Sequence, residues 1–225
     1  MVALDNAAFF GSKVPRLRLS LAPLVLAIIL AAAALVMGAI LLRGFSENGF
    51  RLGSLLAWRF TFFVFFAALA TGPACRIAAR LFPALTPPQT LSRRLVWGFC
   101  ASYGVYLLSV FLPNVIALSA GATLMVLFGG SVALVMAAAA TPLKRLGKPA
   151  VIADKVRRVL LATAAVYFWL CYALMALARI SGPHRPDGFY GLSLCLMVAA
   201  LLARYADRWL AHRAPAETRA AVAVS

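Results

Sequence analysis

The stretch Trp58–Arg76, WRFTFFVFFAALATGPACR, decides the fold. Sixteen residues separate its two arginines, and none of them is charged. With the flanking residues this apolar run reaches the roughly 20 residues that cross a bilayer as a helix. It closes on Thr71, Pro73 and Arg76. Proline stops or bends a helix, a threonine hydroxyl can take up a freed carbonyl, and a basic side chain snorkels to the headgroups. The same device recurs in AATPLKRLGK, residues 139–148.

The rest of the chain is built alike. Of 225 residues, 64% are hydrophobic and only 12% charged, and the mean hydropathy is +0.93. A soluble domain carries about twice that share of charge. Six apolar segments follow one another at about 20–42, 54–75, 95–112, 115–140, 159–178 and 188–206. Each is long enough to cross with ordinary tilt, and Pro113 with Asn114 makes a hairpin between the third and fourth. The first segment exceeds the roughly 7–15 apolar residues of a signal peptide, so it is expected to be retained, with cleavage in its alanine-rich half as the alternative.

The 22 Lys and Arg against 6 Asp and Glu give a net charge of +16. No basic stretch is long enough to form a nucleic-acid surface. The basic residues sit between apolar runs, where they orient helices and meet anionic lipid headgroups. With six spans, 17 of them fall on the side of the two termini, including Arg76, Arg80, Arg204 and Arg208. Only Arg43, Arg51, Arg179 and Arg185 fall on the other, with Arg59 inside or at the edge of the second span. The positive-inside rule then puts both ends in the cytoplasm. The expected fold is an all-α polytopic membrane protein: a six-helix transmembrane bundle over 20–206, a cytoplasmic N-terminal tail over 1–19 and a cytoplasmic, small-residue-rich C-terminal tail over 207–225.

Few residues carry chemistry. Arg59 reads either as a counter-charge for a bound anion or as an interfacial anchor helped by Trp58. In the fifth segment Thr163, Tyr167, Cys171 and Met175 recur every four residues, and in the third Cys100, Tyr103 and Leu107 make a comparable face. Each stripe reads as a pocket wall or as ordinary helix packing. His184 and His212 fall on opposite sides of the membrane in this topology and read as solvated surface residues. Cys75, Cys100, Cys171 and Cys195 stand singly and read as small apolar thiols. No metal-ligand spacing, Ser–His pairing, phosphate loop or pair of carboxylates within a span occurs, so no catalytic residue and no metal ligand is assigned. The residues that could line a cofactor site are Arg59, Tyr103, Tyr106, Tyr167 and Cys171.

In order, WRFTFFVFFAALATGPACR, SRRLVWGFCASYGVYLL (92–108), AAATPLKRLGK (138–148) and VYFWLCYAL (166–174) resemble the ferric-reductase-like transmembrane domain, in particular its MsrQ-like bacterial haem membrane subunits. The resemblance runs from about Arg59 to Met175, roughly half the chain, on short motifs. It implies an integral protein of the bacterial cytoplasmic (inner) membrane that holds haem b between the third and fifth spans through histidines and passes electrons across the membrane. The ungapped match puts the ligand positions at Leu107, near Arg158, and near Leu170 or Cys171, and none of these is histidine. Cys171 with Tyr103 or Tyr106 would have to be deprotonated in an apolar medium to replace it. The expectation is therefore a haem-less, non-enzymatic relative without a cofactor, whose partners are the lipid bilayer and another membrane or redox subunit. A haem-binding electron-transfer subunit with unusual or partner-supplied ligands is one alternative, and a small transporter or lipid-binding protein is another.

Overall fold

In the computed structural model the described residues are 21–81, 90–114, 120–140, 150–182 and 187–213, with the side chains at several helix ends left aside. They form six helices: α1 Leu21–Arg43, α2 Glu47–Leu81, α3 Thr90–Asn114, α4 Ala120–Ala140, α5 Ala150–Ile180 and α6 Gly188–Arg213. Five of these, all but α4, are long and apolar enough to cross a membrane, and α4 contributes the shorter apolar stretch Phe128–Ala140. Large apolar side chains face outward, with Leu134 73% and Leu174 64% exposed. Water would not tolerate so continuous an apolar exterior, and lipid is its natural solvent. This is the surface of an integral membrane protein.

The helices overrun the apolar segments that foretold them. α2 starts at Glu47 and runs to Leu81, α5 starts at Ala150, and α6 runs to Arg213. Hydropathy marks the edge of the hydrocarbon, whereas a helix continues while its backbone bonds and residue propensities favour it. Pro73 does not end α2. Thr71 Oγ1 donates to the Ala67 carbonyl at 2.5 Å, two residues before the Leu69 carbonyl that the proline deprives of its usual donor. α3 likewise includes Pro113 and Asn114. The second Thr-Pro exit and the C-terminal tail beyond 213 lie outside the described residues.

The turn from α1 to α2 is short because three residues suffice for it. Gly44 takes φ +76°, the left-handed conformation that ends a helix at no steric cost when there is no Cβ. Ser46 then caps α2: its Oγ accepts from the Gly49 amide at 3.3 Å and donates to the Arg43 carbonyl at 3.1 Å. On α2, Gly49 and Gly53 sit four apart; a Cβ at Gly49 would collide with the Gly44 carbonyl, and one at Gly53 would stand 3.3 Å from Val36. Small residues at this spacing let two membrane helices approach closely.

Helices α2 to α6 form a ring in chain order, each packed on the next, with α6 returning to α2 and α1 lodged outside against α2 and α3. Two arginine–aspartate ties close the ring. At one end Arg59 on α2 pairs with Asp187 at the head of α6. At the other, Arg76 Nε donates to Asp207 Oδ2 at 2.8 Å, Arg80 Nη1 lies 3.6 Å from Oδ1, and the same nitrogen donates to the Asp207 carbonyl at 3.0 Å. Both ends meeting in this sense makes α2 and α6 parallel. Arg59 and Arg76 are 17 residues apart and the aspartates 20, about 26 and 30 Å along a helix, close to the thickness of a hydrocarbon core.

Asp207 is nearly enclosed, its side chain 10% exposed, and is bonded by two arginines. Asp207→Asn is expected to lower stability by on the order of 1–3 kcal/mol, as loss of a charge-assisted bond does. Thermal unfolding in detergent followed by circular dichroism measures this; an unchanged unfolding temperature would contradict the tie.

Candidate functional site

The centre of the ring is filled by aromatic side chains. α2 supplies Trp58, Phe62 and Phe65, α3 supplies Phe99, Tyr103 and Tyr106, and α5 supplies Phe168 and Tyr172. Phe99 lies on Phe168 with ring centroids 4.8 Å apart, Tyr103 on Phe168 at 5.1 Å, Phe65 on Tyr172 at 5.5 Å and Trp58 on Tyr172 at 4.3 Å. These are contact distances for aromatic pairs. α5 therefore meets α2 and α3 through rings in contact, while its main backbone neighbours are α4 and α6. Met136 from α4 and Met197 from α6 complete the packing. The hydroxyls of Thr61 and Tyr172 are buried without a hydrogen-bond partner among the described residues. Ser102 and Ser109 instead donate back to the Phe99 and Tyr106 carbonyls at 3.0 and 2.7 Å.

The structure brings most of the expected lining residues together. Tyr103 and Tyr106 have ring centroids 5.7 Å apart, and Tyr167 meets Phe168 at 5.2 Å. Cys171, one turn from Tyr167, is within hydrogen-bonding reach of it. The stripe on α5 is displaced, however. Thr163 is exposed and Tyr167, Cys171 and Met175 are only half-buried, whereas Ala165, Phe168, Tyr172 and Ala176 are buried. On a helix of uniform hydrophobicity, spacing alone cannot choose among adjacent faces, and here the larger rings take the interior. Of the positions matched to ligands by resemblance, Cys171 is half-buried beside Tyr167. Leu107 packs towards Gly130 on α4, Leu170 is 46% exposed, and Arg158 is exposed.

Arg59 is separate from this interior. Its guanidinium pairs with Asp187 and its Cζ stands 4.9 Å from the Phe189 ring centroid, a cation–π distance. The anion it meets belongs to the protein. Trp58 does not help it at an interface: it is turned inward, 6% exposed, onto Tyr106 and Tyr172. Asp187 stands just before the apolar run from Gly188, where an aspartate is a helix-start signal, but nothing in the local sequence marks it as the partner of Arg59. Its Oδ1 accepts from the Phe189 amide at 3.2 Å and its carbonyl from the Tyr190 amide at 3.0 Å, so it caps α6 as well as holding Arg59.

A second feature is a cleft of about 310 Å³ where α2, α3 and α6 come together beside the Asp207 tie. It is the basic counterpart of the aromatic interior. Among the described residues no group of three or more His, Cys, Asp or Glu is placed to hold a metal. His184 lies outside the described residues and His212 falls in the last turn of α6. No protein-family model, curated protein or solved structure matches the chain.

Two measurements probe this geometry. Phe168→Ala opens a hole among Phe65, Phe99 and Tyr103 and is expected to cost roughly 3–5 kcal/mol, whereas Leu170→Ala, on the outer face, is expected to stay within about 0.5 kcal/mol. Denaturant titration of the two variants in the same micelles compares them, and equal losses would contradict the inward orientation of Phe168.

The second concerns pH. The Phe189 amide and then the Arg59 guanidinium hold the Asp187 carboxyl below the usual carboxylate range. The folded chain thus binds this proton more weakly than the unfolded chain. The stabilisation is complete above the ordinary value near 3.9 and is lost as pH falls below it through the depressed one. The unfolding temperature of the parent should exceed that of Asp187→Asn at pH 5, and the difference should shrink progressively as pH falls below the ordinary carboxylate value of about 3.9; a constant difference would contradict the pairing.

Proposed function

We propose that this chain is a non-enzymatic membrane subunit of ferric-reductase-like kind, with six spans and both ends in the cytoplasm of a bacterial inner membrane, that carries no haem and works with another membrane or redox subunit. The observation that carries this reading is the filled interior. Haem is a rigid macrocycle that needs an open slot and an axial donor, usually an imidazole nitrogen. The space between α3 and α5 is taken by Phe99, Tyr103 and Phe168 in ring contact, while Tyr172 of α5 packs on Trp58, Phe62 and Phe65 of α2. These residues do not fit the group: phenyl rings have no donor atom, and a buried phenol would have to ionise without a counter-charge beside it. The orphaned hydroxyls of Thr61 and Tyr172 are neutral groups and offer no strong axial ligand.

The topology rests on the same reading. The two ties lie at Arg59 and Arg76, 17 residues apart along α2, and the basic residues of the sequence gather on the Arg76 side. That bias favours the cytoplasm for this end. With the interior closed and no general acid or base in it, activity is assigned to an association through the outer surface.

The test is the ultraviolet–visible spectrum of protein purified from haem-replete membranes, oxidised and then reduced with dithionite. The expected spectrum shows aromatic absorption alone. A Soret band that shifts on reduction, near one haem per chain, would overturn the proposal and restore electron transfer. The same band seen only when a partner co-purifies would place haem at the subunit interface, and the haem-less reading would fall for the complex.

A further inference from the structure

The cleft beside Asp207 has a charge that the protein does not balance. Arg76, Arg204 and Arg208 line it together with Gly72, Ser92 and Asp207. Asp207 is already bonded to Arg76 and Arg80. Among the described residues neither Arg204 nor Arg208 has a carboxylate partner. They stand four apart on α6, on one helical face, where like charges repel, and the Arg76 guanidinium adds to that repulsion at Arg204. Three guanidinium groups thus border one hollow with a single carboxylate among them, and the excess positive charge favours an added anion.

The donors also converge. A Cβ placed on Gly72 would stand 3.6 Å from Arg76 Nη1 and 3.7 Å from Ser92 Oγ. The space left free by that glycine is therefore bordered by a guanidinium and a hydroxyl from two different helices. Ser92 lies in the first turn of α3, which begins at Thr90, so the positive end of the α3 dipole adds to the field. Planar, forked guanidinium groups with a hydroxyl donor suit the oxygens of a phosphate group.

The level of the cleft indicates what carries the phosphate. Tyr205 and Trp209, next in sequence to Arg204 and Arg208, are 71% and 45% exposed on α6. Aromatic residues with a polar atom mark the headgroup level of a membrane helix. The inner wall is apolar, Ala68 and Leu69, as suits a group that continues into hydrocarbon. Basic pockets between membrane helices on the cytoplasmic side suit anionic headgroups.

We propose that this cleft is a binding site for a phosphate-bearing anion, held by Arg76, Arg204, Arg208 and Ser92, and supplied by the headgroup of an anionic phospholipid. The site does not depend on whether the interior holds haem.

The experiment uses the full chain in detergent and follows its unfolding temperature against added phosphatidylglycerol, phosphatidylcholine and inorganic phosphate at constant ionic strength. Phosphatidylglycerol is expected to stabilise the parent saturably, while phosphatidylcholine, whose choline cation the arginines repel, has little effect. In Arg204→Gln/Arg208→Gln the half-saturating concentration should rise roughly 10- to 30-fold. The outer pair Arg43→Gln/Arg51→Gln removes equal charge and should respond like the parent. Ser92→Leu, which fills the cleft and keeps every arginine, should also lose the response. Without lipid, the Arg204/Arg208 variant should unfold no earlier than the parent, because repulsion is relieved. Stabilisation by inorganic phosphate alone, lost in the same variants, would uphold the phosphate site and overturn the lipid as its source. A phosphatidylglycerol response equal in parent and Arg204/Arg208 variant, or none at all, would overturn the site.

Discussion

The bundle depends on how α6 returns to α2. Nothing in the bilayer drives one apolar helix onto another by hydrophobicity, since lipid tails are as apolar as leucine. Specific bonds must fix the partner and the register. The chain has only six acidic residues, and two of them, Asp187 and Asp207, tie α6 to arginines of α2 at its two ends. The two pairs differ in kind. Arg59–Asp187 is open to solvent, with 26% and 48% of the side chains exposed, and such pairs contribute little to stability by themselves. Its value is register, because a shift by one turn would break it and uncap α6 together. The Asp207 side chain is nearly enclosed and serves two arginines, so it carries more of the stability.

Closure of the ring creates the interior, and large rings fill it. A ring of five helices leaves a central space wider than aliphatic side chains would close, and phenylalanine and tyrosine from three helices bridge it. This packing holds α5 away from α2 and α3 while keeping the space occupied. A cleft with unbalanced charge lies at the Asp207 end, where the tie leaves Arg204 and Arg208 without a carboxylate partner among the described residues.

Much of this was legible in the sequence, because hydropathy and helix length obey one constraint, the thickness of the bilayer. All six apolar segments correspond to helices. What local pattern could not yield was direction. Trp58 reads as an interfacial anchor from its neighbour Arg59, yet it packs on Tyr172, more than 100 residues away. The stripe through Tyr167 and Cys171 and the adjacent one through Phe168 and Tyr172 are equally helical; only the partners from α2 and α3 decide between them. Pro73 reads as a stop, but α2 continues to the arginines that hold Asp207. Asp187 and Asp207 could each be noted at a segment edge, whereas their common partner helix is a long-range fact.

The closure of α6 on α2 is tested most directly by cross-linking in native membranes. In a chain whose four cysteines are replaced by serine, the pairs Arg59→Cys/Asp187→Cys and Arg76→Cys/Asp207→Cys are treated with a short bifunctional thiol reagent, and the chain is then cut between α2 and α6 by a protease site placed in the 141–149 segment. The account predicts that both pairs hold the two fragments together on a denaturing gel and that the crossed pair Arg59→Cys/Asp207→Cys does not. Fragments that separate in both matched pairs, or a crossed pair that links as well, would contradict a parallel α2 and α6 tied at both ends.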